Sequence, residues 1–554
     1  MFMVKKKING NEYYYLNENK RVDGKVKTKT LAYLGKTKKE AEEKMEKILK
    51  DKNEIKSEME NKKTEKKIEQ ESTKISIEEM AVYCKRKGFV YQSGEIYGGL
   101  AGFWDFGHLG SELKNNIKKE WWKYHVHQRN DIVGIDGSII THPKVWKASG
   151  HIDNFSDVFV VCKKCKKASK IDRSELGKVK CINCNGDYDE KTAKDFNLMF
   201  KVTVGESGES YLRPETAQLI FTNFKLVQES ARMKLPFGIA QAGKSFRNEI
   251  APRDFLFRSR EFEQMEIEYF IKPDSNCPYE IPDEEILIYS AEMQEKEKSP
   301  EVMSIKEALK KGIIKKDWHA YWLSIQFRWF KNLGANPKNF RIRQHRKDEL
   351  AHYSSDCWDL EYNFPFGWKE LEGIADRKDY DLKQHEKFSG KDLRIFDEES
   401  KQKILPNVVC EPSIGVERSF LVFLFDSYFY DKERENVILR INPKLAPVKA
   451  SIFPIIKKEE FEKMAKLIFD DLSKEWNVSY DESGSIGRRY ARNDEIGTPY
   501  CITIDEESLK NNDATIRERD TTKQIRVKIP QLREIIRKLI FGEIEFEKAG
   551  KNFE

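Results

Sequence analysis

The chain has no apolar run approaching the ~18 residues that a membrane-spanning helix needs. Met1 to Gly10 is basic and lacks an apolar core, so it does not read as a secretory signal. These absences point away from a membrane protein and toward the cytoplasm. Cysteine is scarce, nine in 554 residues and an odd number. A disulfide framework is therefore not expected. Four of the nine are clustered, which fits a metal site in a reducing compartment. Histidine is equally scarce, also nine. His142, His151 and His352 read as packing or hydrogen-bonding groups, and no Ser, His or Cys stands out as a catalyst. There is no internal repeat.

What is present is charge. Charged residues make up 35% of the chain and hydrophobic residues 39%. That suits a soluble globular protein of about three or four domains. The net charge of +7 is uneven: residues 1–39 hold eleven Lys and Arg against three acidic residues, a net of +8. A basic end on a near-neutral body fits a polyanionic partner. It fits a solvated, lysine-rich tail equally well.

Residues 11–34 predict a β-hairpin. Tyr13, Tyr14 and Tyr15 form an aromatic run, Asp23-Gly24 supplies a two-residue turn, and Thr28 to Leu34 returns as a strand. Thr37 is placed as the N-cap of a helix over Lys38 to Lys50. Residues 51–74 are almost wholly polar and read as a linker or exposed helix. From Ser76 apolar and aromatic residues become dense. The stretch 76–445 reads as one large body with two insertions: the cysteines at about 160–195, and a Glu/Lys-rich, helical segment at about 275–320. At 446–554, strand-like runs (Val448 to Phe453, Tyr500 to Ile504) alternate with helical patterns (Glu459 to Glu475, Gln531 to Ile540), predicting a mixed α/β domain.

Cys162-x-x-Cys165 and Cys181-x-x-Cys184 are separated by fifteen residues. Two such knuckles can set four thiolates tetrahedrally around Zn²⁺. All four ligands come from protein, so the site is expected to be structural. The remaining cysteines are scattered and read as small core residues.

Phe246-Arg247-Asn248-Glu249 is followed by Phe257-Arg258-Ser259-Arg260-Glu261-Phe262-Glu263-Gln264-Met265-Glu266-Ile267-Glu268. Alternation from Glu261 to Glu268 predicts a strand with one charged face. The arginines suit a polyphosphate; a plain salt-bridged hairpin is the other reading. Glu411-Pro412-Ser413-Ile414-Gly415-Val416-Glu417-Arg418 leads into the apolar helix Ser419 to Tyr428, again suiting a nucleotide.

Together these segments resemble class II aminoacyl-tRNA synthetases, specifically the dimeric glycyl-tRNA synthetase family. The first family motif resembles Lys114 to Pro143, the second Phe246 to Glu266 and the third Glu411 to Arg418. Similar stretches lie between them, such as Tyr211 to Phe221 (YLRPETAQLIF), Glu370 to Ala375 (ELEGIA) and Tyr480 to Tyr500. The resemblance covers about 76–554. It implies an α+β fold: a catalytic domain on a six- or seven-stranded antiparallel sheet, a zinc-binding insertion, and a C-terminal α/β anticodon-binding domain behind a small basic hairpin–helix module. It implies glycine–tRNA ligase activity, with ATP, glycine and tRNA(Gly) as partners, Mg²⁺ and structural Zn²⁺ as cofactors, and a homodimer.

It also implies residue roles. Arg247 and Arg418 would carry catalysis, Arg247 on the α-phosphate of ATP and Arg418 at the ATP tail. Around them the ATP site would take in Asn248, Glu249 at the adenine amino group, Phe257, Arg258, Ser259, Arg260, Glu261, the stacking ring of Phe262, Glu370, Leu371, Gly415, Val416 and Glu417. Glu370 and Glu411 would help with Mg²⁺. Glutamates Glu215, Glu266 and Glu411 would surround the glycine ammonium, beside Phe262, Glu263, Gln264, Met265, Pro412, Ser413, Ile414 and Gly415. A further substrate contact falls to Lys170 or Arg173. A pocket so filled leaves no room for a β-methyl, and no editing domain is visible. Where the family usually has proline, this chain has His108.

A catalytically inactive, nucleic-acid-binding paralogue is the alternative. Arg247, Arg260 and Arg418 are all retained, which argues against it. Residues 1–75 lie outside the resemblance. They weakly resemble the leading segment of some transposase or integrase-like proteins, as an accessory DNA- or RNA-binding arm or a passive appendage.

Overall fold

The computed structural model describes residues 2–8, 11–22, 25–39, 41, 44–45, 75–171, 176–181, 183–206, 208–351 and 353–553. The Asp23-Gly24 turn, much of the helix expected up to Lys50, the 51–74 linker, His352 and Arg173 lie outside the described residues, as does the side chain of Lys170. The chain divides into two compact units, Met1–Thr73 and Lys74–Glu554.

The first unit is a three-stranded antiparallel sheet of β1 (Phe2–Ile8), β2 (Asn11–Val22) and β3 (Lys25–Gly35), in that order. The hairpin of β2 and β3 is the expected one; β1 is an addition. The run Lys5-Lys6-Lys7 hides its period-two pattern. Tyr14, Leu16, Leu34 and Ala41 form a small core on one face of this sheet.

In the second unit, after a helix at Ile77–Lys87, the first element that bears on the site is α1 (His108–Trp122). His108 opens this helix, a position that proline also favours, so the substitution leaves the turn intact. Next come β4 (Ile132–Ile135), then β5 (Ser156–Cys162), β6 (Ala168–Ile171) and β7 (Tyr188–Asn197), which form a separate three-stranded sheet. Helix α2 (Ala217–Ala231) precedes β8 (Phe237–Phe246) and β9 (Glu261–Ile271). Then follow β10 (Glu285–Tyr289), β11 (Glu301–Ser304), α3 (Asp317–Asn332), β12 (Phe340–Gln344), β13 (Asp356–Phe364), β14 (Gly367–Asp376), α4 (Tyr380–Ser389), β15 (Asn407–Gly415) and α5 (Val416–Ser427).

Nine of these strands make one sheet in the order β11-β10-β12-β13-β14-β15-β9-β8-β4. Six strands, β12 to β8 in that order, pair antiparallel. The sheet is wider than the six or seven strands expected because β4 and β10 add on in parallel and β11 extends the edge. The 275–320 segment is thus not simply helical. Buried Ile286 and Ile288 alternate with exposed or half-buried neighbours, the period of a strand rather than a helix.

Helix α3 lies against the back of the sheet. Trp318, Trp322, Phe327, Trp329 and Phe330 are buried there with Met265, Ile267, Tyr269, Trp358 and Ile414. That apolar layer fixes which strand residues face away from it, and so builds the site. The C-terminal part is a second sheet in the order β17 (Val478–Tyr480), β16 (Ala450–Pro454), β18 (Tyr500–Ile504), β19 (Asp513–Glu518), β20 (Gln524–Lys528), β21 (Lys551–Phe553), with its own core including Phe461, Ile468, Ile536 and Ile540.

Candidate active site

Opposite α3 the sheet floors a cavity of about 300 Å³. Alternation along each strand decides who enters it. On β9, Phe262, Gln264 and Glu266 face the cavity; on β15, Glu411, Ser413 and Gly415; on β14, Gly373 and Ala375; on β13, Cys357 and Asp359. Register places Glu266 opposite Ser413 and Gln264 opposite Gly415.

This corrects the single charged face expected from Glu261 to Glu268. The strand alternates without a break, and it is the acids that change face, from Glu261 and Glu263 on one side to Glu266 on the other. Glu261 pairs with Lys244, and Glu263 takes Lys114 and Lys118 of α1, each at 2.6 Å. Both carboxylates point away from the main cavity. Glu263 is instead the tie between the first-motif helix and the second-motif strand. Met265 is fully buried in the core behind.

Deep in the cavity lie Glu215, Glu266 and Glu411, each at least nine-tenths buried. Glu268 stands beside Glu266 and Glu411, buried and with no hydrogen-bond partner among the described residues. Like charges this close, out of water, oppose ionisation. Burial pushes Glu411 up to about 8, against the pull of Arg377. Burial, then the charge of Glu215, raises Glu266, and burial raises Glu268 further still. Glu215 goes the other way. Against its burial, His151 at 3.2 Å and the charges of Arg377 and Arg247 hold it well below the usual carboxylate range.

Arg377 is a cation inside this group that sequence patterns missed. It is 1% exposed, donates to Asp381 at 2.7 and 2.8 Å and to Glu411 at 2.7 Å, and lies 3.8 Å from the Tyr353 ring centre. Gln218 links Asp381 to Glu215, donating at 2.8 and 3.2 Å. No motif marks Arg377; the signal available was only its place one residue beyond the β14 strand.

Three arginines also line the cavity. Arg247 sits over the rings of Phe155 and Phe262, at 5.6 and 5.4 Å. Of its guanidinium, only Nε donates a hydrogen bond among the described residues, to the Pro214 carbonyl. Arg258 clasps Glu249 at 2.8 and 2.5 Å. Arg418 lies over the Phe257 ring and donates to the Glu370 carbonyl at 2.8 Å.

Of the residues expected at the site, Glu215, Arg247, Glu249, Phe257, Arg258, Ser259, Phe262, Gln264, Glu266, Glu370, Leu371, Glu411, Ser413, Gly415, Glu417 and Arg418 line one cavity. Asn248, Arg260, Glu261, Glu263, Met265, Pro412, Ile414 and Val416 do not. Arg260 braces loops instead, donating to the Glu249 and Ala101 carbonyls at 2.9 Å. Val416 and Ile414 are core residues. Tyr353, His345 and Asp359 line the cavity without having been anticipated.

The four clustered cysteines come together on the separate small sheet. Cys162 Sγ lies 3.5 Å from Cys184 Sγ, and Cys165 Sγ lies 3.7 Å from Cys181 Sγ. A tetrahedron with Zn–S bonds of about 2.3 Å has edges of about 3.8 Å. Lys166 and Asn185, each just after a knuckle, take φ of 58° and 56°. Their amides return to the Cys162 and Cys181 carbonyls, so both knuckles fold alike. A Cβ at Gly186 would lie 3.4 Å from two of the sulfurs. The residues fit a zinc ion.

Comparison with known proteins gives the family. Residues 449–539 match the family model described as "Anticodon binding domain". Residues 3–65 match "IS1634 family transposase, N-terminal domain". The glycine–tRNA ligase of Thermobifida fusca is 41% identical, over 83% of this chain and 97% of that protein. That of Geobacillus thermodenitrificans is 42% identical, over 85% and 99%. That of Acetivibrio thermocellus is 43% identical, over 83% and 97%. Similarity of this depth, running through nearly the whole of each relative, shows that the chain belongs to the glycine–tRNA ligase family.

Proposed function

We propose that this chain activates glycine with ATP and transfers it to the 3′ end of tRNA(Gly). The observation that carries the reading is a single cavity lined both by buried carboxylates and by three arginines. It is built for a small zwitterion joined to a polyphosphate. The glycine ammonium enters among Glu215, Glu266 and Glu411, with Ser413 beside it. The glycine carboxylate, already ionised at neutral pH, attacks the α-phosphorus in line and pyrophosphate leaves. No general base is needed. Positioning and neutralisation of phosphate charge do the work. Arg247 meets the α-phosphate, Arg418 the tail, and Phe262 stacks on adenine. Glu370, half-exposed in the cavity lining, would hold the Mg²⁺ that neutralises phosphate charge; Glu411, engaged by Arg377, serves glycine instead.

The pocket walls select glycine by leaving no space for a β-carbon. Domain limits follow: an appended module at 1–75, a catalytic body at 76–445 and an anticodon-binding domain at 446–554, working in the cytoplasm as a homodimer. Sedimentation should give twice the chain mass. Charging of a tRNA(Gly) transcript with labelled glycine tests the whole reading; no product with full-length protein would refute it. An inactive paralogue is not favoured, since Arg247 and Arg418 both line the cavity.

The carboxylate cluster gives a pH signature. Before glycine enters, burial raises Glu411 to about 8 and raises Glu266 in the same direction, which favours their protonated forms. An ammonium arriving between them favours the charged form and expels protons. Glycine affinity should therefore rise as pH rises from 6 toward about 8 and then level off. Calorimetry in buffers of different ionisation enthalpy measures the protons released; uptake, or no exchange, would count against the assignment.

Zinc at Cys162, Cys165, Cys181 and Cys184 would be structural, closing a loop that has little other core. Protein purified without chelator should carry about one zinc per chain. The Cys162→Ser, Cys181→Ser double variant should carry none and lose local order in the 156–197 segment, read by proteolysis.

A further inference from the structure

The outer face of the first unit's sheet has no part in the reaction above. Tyr14 points into that unit's core, so its neighbours Tyr13 and Tyr15 point out. Tyr33 of β3 pairs with Tyr15 in register, their ring centres 5.5 Å apart, and Tyr13 lies 6.3 Å from Tyr33. Tyr33 is 47% exposed. The Lys6 ammonium stands 5.2 Å from the Tyr15 ring centre and the Lys36 ammonium 5.9 Å from that of Tyr13. Three adjoining rings thus carry two cations on one solvent-facing surface.

We infer that this face binds unpaired nucleotides of the tRNA held by the catalytic body. Bases of any identity stack on aromatic rings, and ammonium groups beside the rings meet the phosphates. The charge agrees: residues 1–39 carry a net +8 on a chain whose total is +7. A protein partner would need an acidic, apolar surface to match; a single strand of nucleic acid supplies both anion and ring at each residue. Three rings alone make a weak site. Carried on the same chain as a body that takes tRNA, a weak site adds its binding energy to that of a stronger one. The inference rests on the reading that the body charges tRNA.

The test uses full-length protein and labelled tRNA(Gly) transcript, with anisotropy read at several salt concentrations. Tyr15→Ser with Tyr33→Ser should weaken binding about tenfold and leave the salt slope unchanged. Tyr15→Phe with Tyr33→Phe keeps the rings and should retain affinity. Lys6→Ala with Lys36→Ala, both at exposed positions, should flatten the slope by about 1.4. Single-stranded DNA of equal length should compete poorly. Parental affinity and slope in both the Ser and Ala variants would overturn the inference, as would DNA competing as well as tRNA. Glycine-dependent ATP–pyrophosphate exchange should be unchanged in every variant. Its absence from the parent would instead strike at the catalytic reading, so the two failures are separable.

Discussion

Arg247→Ala should lower glycine-dependent ATP–pyrophosphate exchange about 10²-fold or more while leaving the thermal unfolding midpoint nearly unchanged. The asymmetry follows from how this side chain is held. It leans on two rings and one carbonyl, and among the described residues no carboxylate forms an ion pair with it. Buried Glu215 keeps His151 and Arg377 as partners when Arg247 is removed, so folding loses little beyond the packing on two rings. The reaction loses a cation placed where phosphate charge must be neutralised. The effect should appear mainly in the rate of exchange. Wild-type exchange in the variant would remove Arg247 from the reaction, whatever else the cavity does.

Arg377→Met should have the opposite profile, a large loss of stability together with loss of glycine binding. Arg377 compensates Asp381 and Glu411 at a site with almost no solvent. Deleting one member of such a pair leaves a buried charge and costs about 3–5 kcal/mol. Glu411 would stay protonated to still higher pH, since the guanidinium that opposes this is gone. The ammonium then meets a neutral acid. Arg377→Met combined with Asp381→Leu should recover part of the stability without recovering glycine binding, because Glu411 still lacks its partner. Urea unfolding and glycine titration of the two variants separate the effects. Stability equal to the parent in Arg377→Met would contradict the buried network.

How legible the site was in the sequence depends on range. Arg247, Glu249, Arg258 and Arg418 sit in short segments whose residues act near one another in space, so the family motifs exposed them. Arg377 acts on Glu411 across 34 residues of chain, and only the pairing of β14 with β15 brings them together. Nothing local marks it. Strand phase was the other blind spot. Between Glu261 and Glu268 both faces carry acids, so composition could not show that Glu263 ties down α1 while Glu266 lines the cavity. Arg260 reads like its neighbour Arg258, yet two backbone carbonyls claim it. The large sheet was legible in kind but not in width, because β10 and β11 lie inside a Glu/Lys-rich stretch whose composition masks a short period-two pattern.

The central claim is that one cavity joins glycine to ATP. ATP–pyrophosphate exchange across a panel of amino acids tests it most directly, without tRNA and therefore without the first unit or the anticodon-binding domain. Exchange is expected with glycine and none above background with alanine or serine, whose β-carbons the proposed glycine pocket would exclude. Equal exchange with alanine or serine, or none with glycine, would contradict it.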